Sequence, residues 1–145
     1  MSLSNIFDIS GSAMSAQTIR LNTTASNLAN AQSVSSSVGE TYKARHPIFA
    51  AVLGNEMGLG GNGEGIFESA GGVRVMGVVE SDAPYALRYE PHHPSADDEG
   101  YVTYPNVNVV EEMTNMISSS RSFQMNVEVM NTAKTMMQRI MSLGQ

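Results

Sequence analysis

The fold is decided by residues 109–143, which read VVEEMTNMISSSRSFQMNVEVMNTAKTMMQRIMSL. Alternate steps of four and three residues along this stretch reach ten positions, and eight of them carry apolar side chains. The ten positions are Val109, Met113, Met116, Ser120, Phe123, Val127, Met130, Lys134, Met137 and Met141. A repeat of 3.5 residues predicts a long helix with an apolar seam along one side.

Both ends of this stretch carry helix boundary signals. Asn108 can cap the first turn, Glu111 follows three residues later, and Gly144 comes after the last apolar residue. Such a helix would be roughly 50 Å long, because each residue adds about 1.5 Å. A single small domain cannot cover that length, so a second element must lie beside the helix.

Residues 3–31 are predicted to form that second element as another helix. Phe7, Met14, Leu21 and Leu28 recur at intervals of seven residues, and most other positions are uncharged Ser, Thr and Asn. In an ordinary two-helix hairpin these polar sides would face water. Short uncharged side chains also suit close contacts with several neighbours, where a charge would have to be desolvated. We favour the second arrangement because almost the whole circumference of both helices lacks charge.

Composition and charge disfavour several functions. The chain has 145 residues, 41% of them hydrophobic, and its net charge of −6 disfavours nucleic acid and anionic membranes as partners. No run approaches 18 apolar residues, so we expect no direct membrane insertion. The first residues lack the basic start and apolar core of a cleaved secretory signal. Twelve of the fourteen acids lie in residues 40–112, which leaves the terminal segments nearly free of charge.

The middle of the chain is predicted to be a small β-rich insert. Residues 72–82 and 86–91 have strand patterns, and residues 54–65 include six glycines, which predict a flexible loop. The predicted fold is therefore mainly α with a small β insert. Residues 1–35 and 107–145 form a helical domain in which the two terminal helices pair as an antiparallel coiled coil. Residues 36–106 form the β-rich insert between them.

The sequence shows little equipment for catalysis. His92 and His93 precede three acids, so a metal or acid–base site has to be considered. Adjacent histidines in an extended segment point to opposite sides, and no further His or Cys stands at ligand spacing. The glycines match neither a phosphate-binding loop nor a dinucleotide fingerprint. We therefore predict no catalytic residues, no metal and no cofactor, and a His-dependent metalloenzyme is a minor alternative.

Three separated motifs resemble one known family. SAMSAQTIRLNTTASNLANAQS, residues 12–33, is similar to the N-terminal signature of flagellar rod and hook proteins, and ASNLAN is its most recognisable part. YEPHHPSADDEGYVTYPNVNVVEEM, residues 89–113, resembles the family's Pro-x-His-Pro and Pro-Asn-Val elements. The ending from residue 118 resembles the family's C-terminal helix. The motifs agree with the family in order and in spacing.

The resemblance implies a structural subunit of the flagellar proximal rod, the axial shaft that transmits torque across the periplasm. It implies export through the flagellar type III apparatus without signal cleavage. The implied partners are that export apparatus, other rod subunits, copies of this chain and the base of the basal body. A low-copy junction or adaptor subunit of the rod is an alternative.

The predicted interface combines the seam positions with two asparagines that are candidates for hydrogen bonds between subunits. Its residues are Phe7, Met14, Leu21, Asn27, Leu28, Asn30, Met113, Met116, Phe123, Val127, Met130, Met137 and Met141.

Overall fold

Two long helices flank four short strands in the computed structural model, which describes residues 3–35, 40–52 and 71–143. The elements are α1 (Leu3–Asn30), β1 (Arg45–Ala51), β2 (Val73–Glu80), β3 (Ala86–Tyr89), β4 (Tyr101–Tyr104) and α2 (Val109–Leu143). The mainly α class with a small β insert is confirmed. The glycine-rich loop at residues 54–65 lies outside the described residues, and the division into two domains stays a prediction.

The helices lie side by side and run in opposite directions. The guanidinium of Arg20 in α1 donates a hydrogen bond to the side-chain oxygen of Asn115 in α2 (3.1 Å). The same number of residues separates Arg20 from Leu3 at the start of α1 and Asn115 from Thr132 further along α2, so Leu3 lies beside Thr132. The last turns of α2 therefore extend past the start of α1. The side chains of residues 138–143 are all exposed. Knobs-into-holes packing between the helices stays a prediction.

The start of α2 is fixed by the predicted cap. The side-chain oxygen of Asn108 accepts hydrogen bonds from the backbone N–H groups of Val110 (3.1 Å) and Glu111 (3.4 Å). The backbone oxygen of Asn108 accepts the first intrahelical bond, from the N–H of Glu112 (2.9 Å). These bonds satisfy donors that an uncapped helix would expose, so the helix begins at the predicted residue.

The insert consists of two separate antiparallel pairs of strands. In the first pair, β1 and β2 run in register from Arg45 opposite Glu80 to Ala51 opposite Val73. A bulge leaves Met76 without a partner residue, because Ile48 pairs with Gly77 and Phe49 with Val75. In the second pair, Ala86 to Tyr89 of β3 lie opposite Tyr104 to Tyr101 of β4. The first pair contacts α1 and therefore sits on the helix pair.

The core of the described chain is made of small side chains. Its buried apolar residues are Ala16, Ala44, Val102 and Ala133, and its buried polar residues are Ser10, Thr24, Asn27, Thr41, Glu112 and Ser119. Alanine and serine let two helices approach closely, but they remove little apolar surface from water. Over the described residues, neither helix is long and apolar enough to cross a membrane.

Candidate assembly surface

The inner side of α2 carries two rows of residues. The first row is half-buried and consists of predicted seam residues: Met116, Phe123, Met130 and Met137. The second row lies four residues before each member of the first: Glu112, Ser119 and Ala133 are buried, and Asn126 is half-buried. The first row thus coincides with four of the predicted seam positions, whose role in packing stays a prediction. The second row lies one residue before the other predicted seam positions Met113, Ser120, Val127 and Lys134.

The remaining predicted seam residues of α2 are exposed within the single chain. Met113 is 49% exposed, Val127 36% and Met141 63%. They are thus displaced from the contact between α1 and α2. Their part in contacts with other subunits stays a prediction.

The predicted seam of α1 is only half-buried. Phe7, Met14, Leu21 and Leu28 share this intermediate burial. The fully buried positions of the same helix are Ser10, Ala16, Thr24 and Asn27. Large apolar residues on α1 therefore border the helix contact, and small or polar residues fill its centre.

Asn27 has a different role from the intersubunit hydrogen bond expected of it. Its side chain is fully buried, its amide nitrogen donates to the backbone oxygen of Arg45 (2.8 Å), and its amide oxygen accepts from the N–H of Arg45 (2.9 Å). The same oxygen accepts a third bond from the hydroxyl of Tyr42 (2.9 Å). These bonds fasten α1 to the start of β1 and leave no exposed surface on the side chain for a neighbour. The amide of Asn30 donates to the backbone oxygen of Ser26 in its own helix (2.8 Å).

A second asparagine binds the residue next to this point. The side-chain oxygen of Asn106 accepts from the N–H of Ala44 (2.7 Å), and its nitrogen donates to the backbone oxygens of Ser81 (3.2 Å) and Ala83 (2.8 Å). Asn106 belongs to the Pro-Asn-Val motif that precedes α2, as Asn27 belongs to the ASNLAN motif of α1. The two asparagines therefore hold adjacent residues of the insert, Arg45 and Ala44, against α1 and against the segment that precedes α2. These hydrogen bonds join residues that are far apart in the sequence, so the spacing of residue types along the sequence does not predict them.

Seven large apolar side chains are exposed on one side of α2, and we call them the outer stripe. Its seven members are between 48% and 86% exposed. They are Val110, Ile117, Met125, Val129, Met136, Ile140 and Leu143. At 100° per residue they fall within an arc of about 140°, which borders the buried row at Ala133. The predicted seam does not include this stripe, and alternate steps of four and three residues from Val110 reach only Ile117 among its other members.

The outer stripe continues onto α1 through an apolar groove of about 480 Å³. Ile6 of α1 lines the groove together with Met125, Val129 and Met136 of α2, and Glu128 is its one charged residue. Contiguous apolar surfaces of this kind on soluble proteins mark interaction sites. The groove and the stripe together form the candidate assembly surface.

The histidines considered for a metal site lie in turns of the insert. The Nδ1 atom of His93 accepts a hydrogen bond from the backbone N–H of Ser95 (3.1 Å). Within residues 3–35, 40–52 and 71–143, no group of three His, Cys, Asp or Glu residues could hold a metal ion.

Helices that bury small residues against each other and expose a long apolar stripe define the class of this protein: a subunit that completes its core by packing against neighbours. Two family models match it, flagella basal body rod protein over residues 7–34 and flagellar basal body rod FlgEFG protein C-terminal over residues 98–143. The chain belongs to the flagellar basal-body rod protein family.

Similar proteins cover the chain from end to end. The flagellar basal-body rod protein FlgC of Salmonella typhimurium is 50% identical over 145 residues, which is the whole of both chains. FlgC of Escherichia coli O157:H7 has the same identity and coverage. FlgC of Bacillus subtilis is 33% identical over 95% of each chain. These similarities give no support to a metalloenzyme or to a junction adaptor.

Proposed function

We propose that this protein is a structural subunit of the flagellar basal-body rod, and not an enzyme, and that it assembles through its two terminal helices. The observation that carries the proposal is the outer stripe, whose seven large apolar residues have no cover within the described chain. Full burial of one such side chain contributes about 1.5 to 3 kcal/mol, so the stripe offers a large driving force for association. Its neighbours in the assembly are other rod subunits and further copies of this chain.

The chemistry of the helices suits a shaft under torque. Dispersion contacts are weak individually, but many of them along two helices resist shear together. Between Glu112 and the end of α2 the only charged residues are Arg121, Glu128, Lys134 and Arg139. A surface with so few charges can be surrounded by neighbours at little desolvation cost. The proposed role is therefore transmission of torque along the proximal rod. In this proposal the terminal helices of the subunits form one layer of the rod, and the insert lies outside that layer.

The location in the flagellar basal body rests on membership of the family. We further propose that the protein forms the periplasmic part of the rod and reaches it through the flagellar type III export apparatus, without cleavage of a signal. Full-length similarity to FlgC proteins supports both points. Detection of the uncleaved chain in isolated basal bodies by mass spectrometry tests them.

A pair of matched substitutions tests the role of the outer stripe. Met125 in α2 is 62% exposed and Met76 in the insert is 66% exposed, so Met125→Asp and Met76→Asp make the same change at equal exposure. Met125→Asp should abolish incorporation into basal bodies, because an unpaired carboxylate would be buried between subunits. Met76→Asp should be incorporated as the wild-type chain is.

The readouts are the amount of each variant in isolated basal bodies and the free energy of unfolding of each purified chain. Both variants should unfold like the wild-type chain, because neither methionine is buried within it. Normal incorporation of Met125→Asp, or equal failure of both variants, would show that the outer stripe is not the assembly surface.

A further inference from the structure

A small polar pocket lies where α1, β1 and α2 meet, apart from the outer stripe. Its volume is about 260 Å³, and its lining includes Thr24 of α1 and Glu112 of α2. Both residues are only 4% exposed. Among the residues that the structure describes, neither side chain has a hydrogen bond or an ion pair. The pocket thus holds two largely buried polar side chains that lack partners among the described residues, and their oxygens still open onto the pocket.

Such an arrangement becomes costly when a neighbouring subunit covers the pocket and excludes water from these oxygens. Buried side-chain oxygens in native proteins nearly always have a hydrogen-bonding partner, and a carboxylate without one loses more than a hydroxyl does. Glu111, the preceding residue, is exposed to water, whereas the 100° turn per residue points Glu112 inward. The carboxylate of Glu112 therefore opens onto the pocket, and it requires a hydrogen-bond donor from the neighbour once a neighbouring subunit covers the pocket.

The charges around the pocket indicate what kind of donor fits. The guanidinium of Arg20 is bound to the side-chain oxygen of Asn115 (3.1 Å), and that of Arg45 is paired with Glu80 (3.1 Å). Two positive charges are thus balanced by the negative charges of Glu80 and Glu112. A cation or an anion entering the pocket would disturb this balance and would itself have to be desolvated.

We propose that the pocket is a socket for the carboxamide of an asparagine or glutamine from a neighbouring rod subunit. A carboxamide is neutral, its NH₂ group can donate to Glu112 and Thr24, and its oxygen can accept from Arg20 or His46, which also line the pocket. This inference rests on the proposed assembly into the rod.

The terminal helices themselves supply side chains of this chemistry. Four of their amide residues are exposed and have no side-chain partner among the described residues: Asn22, Gln124, Asn131 and Gln138. Copies of this chain can therefore offer the carboxamide that the socket requires.

A competition experiment tests the socket. Wild-type chain and one variant are expressed together, and the ratio of the two in isolated basal bodies is divided by their ratio in the exported pool. Glu112→Leu should be incorporated roughly 10- to 100-fold less, because it removes a hydrogen bond to a charged group. Glu112→Gln keeps an acceptor and should stay within about threefold of wild type. Glu111→Leu is the exposed control and should compete equally.

Unfolding of the purified chains separates assembly from folding. Glu112→Leu should leave the stability of the single chain unchanged or raised, because the carboxylate has no partner there to lose. Thr24→Val gives a second test without any change of charge: it should fold normally but be incorporated roughly 3- to 10-fold less. Thr18→Val is its control, because the Thr18 hydroxyl is exposed and bonds only to its own helix.

Each possible outcome decides the proposal. Equal loss for Glu112→Gln and Glu112→Leu would indicate a cationic partner and overturn the carboxamide. Normal incorporation of both Glu112→Leu and Thr24→Val would mean that water fills the pocket. A fall in single-chain stability for Glu112→Leu would assign Glu112 a role in folding instead. The wild-type chain tests the proposed function separately. Its absence from basal bodies would refute the proposed function, whatever the variants do.

Discussion

Replacing Asn27 by alanine would remove the side chain that fastens α1 to the insert. Three hydrogen bonds would be lost, two with the backbone of Arg45 (2.8 and 2.9 Å) and one with the hydroxyl of Tyr42 (2.9 Å). All three end on an amide that is fully buried. The change therefore affects the point where the helix pair and the insert meet, and it leaves the outer stripe untouched.

The cost follows from these bonds. Each contributes about 1 kcal/mol net, which gives roughly 3 kcal/mol for the three. Alanine is the better helix former by about 0.5 kcal/mol, which offsets part of this loss. The side chain of Arg45 is exposed, so water can reach the strand edge and replace part of the lost bonding. The expected decrease in the free energy of unfolding is about 2 to 3 kcal/mol, a large fraction for a domain of ordinary stability.

Urea unfolding of the purified chain measures the decrease. Asn22→Ala in the same helix is the control, because Asn22 is exposed and it should unfold like wild type or slightly later. Hydrogen exchange of the Arg45 amide should also accelerate in Asn27→Ala. If the two variants differ by less than about 0.5 kcal/mol, the hydrogen-bonding role assigned to Asn27 is wrong.

Two other substitutions test local features of the fold. Gly100 has a φ of +83°, and an added Cβ would lie 3.0 Å from the ring of Tyr89, so Gly100→Ala should lower the free energy of unfolding by about 1 to 3 kcal/mol. Gly77→Ala is its control, because that Cβ would meet no atom within 4 Å, and equal stability of the two variants would contradict the reasoning. Asn108→Ala removes the cap of α2 and should cost about 1 kcal/mol in urea unfolding, whereas an unchanged midpoint would show that the cap contributes nothing.

The helices could be predicted from the sequence almost to the residue. A 3.5-residue repeat that persists over thirty-five residues gives a strong signal, and the cap at Asn108 marks where α2 starts. α1 ends at Asn30, one residue before the predicted end. The two strands predicted around residues 72–82 and 86–91 are present as β2 and β3. These elements were predictable because their signals are local.

The contacts between elements were less predictable. The interior of the helix pair consists of Ser119, Ala133 and Glu112, which no search for apolar periodicity selects. Asn27 is a candidate for a bond to another subunit by sequence alone, but in the structure its partner is the backbone of Arg45, eighteen residues away. Such contacts depend on how the chain folds back on itself, which sequence spacing does not encode.

Oxidation of the chain's own methionines shows whether neighbouring subunits cover the outer stripe. In the purified single chain, Met76, Met125 and Met136 are between 56% and 66% exposed and should oxidise at similar rates. In isolated basal bodies, peptide mass spectrometry should find Met125 and Met136 protected while Met76 still reacts as in the single chain. Oxidation of Met125 and Met136 at their single-chain rates within the assembled rod would contradict the account.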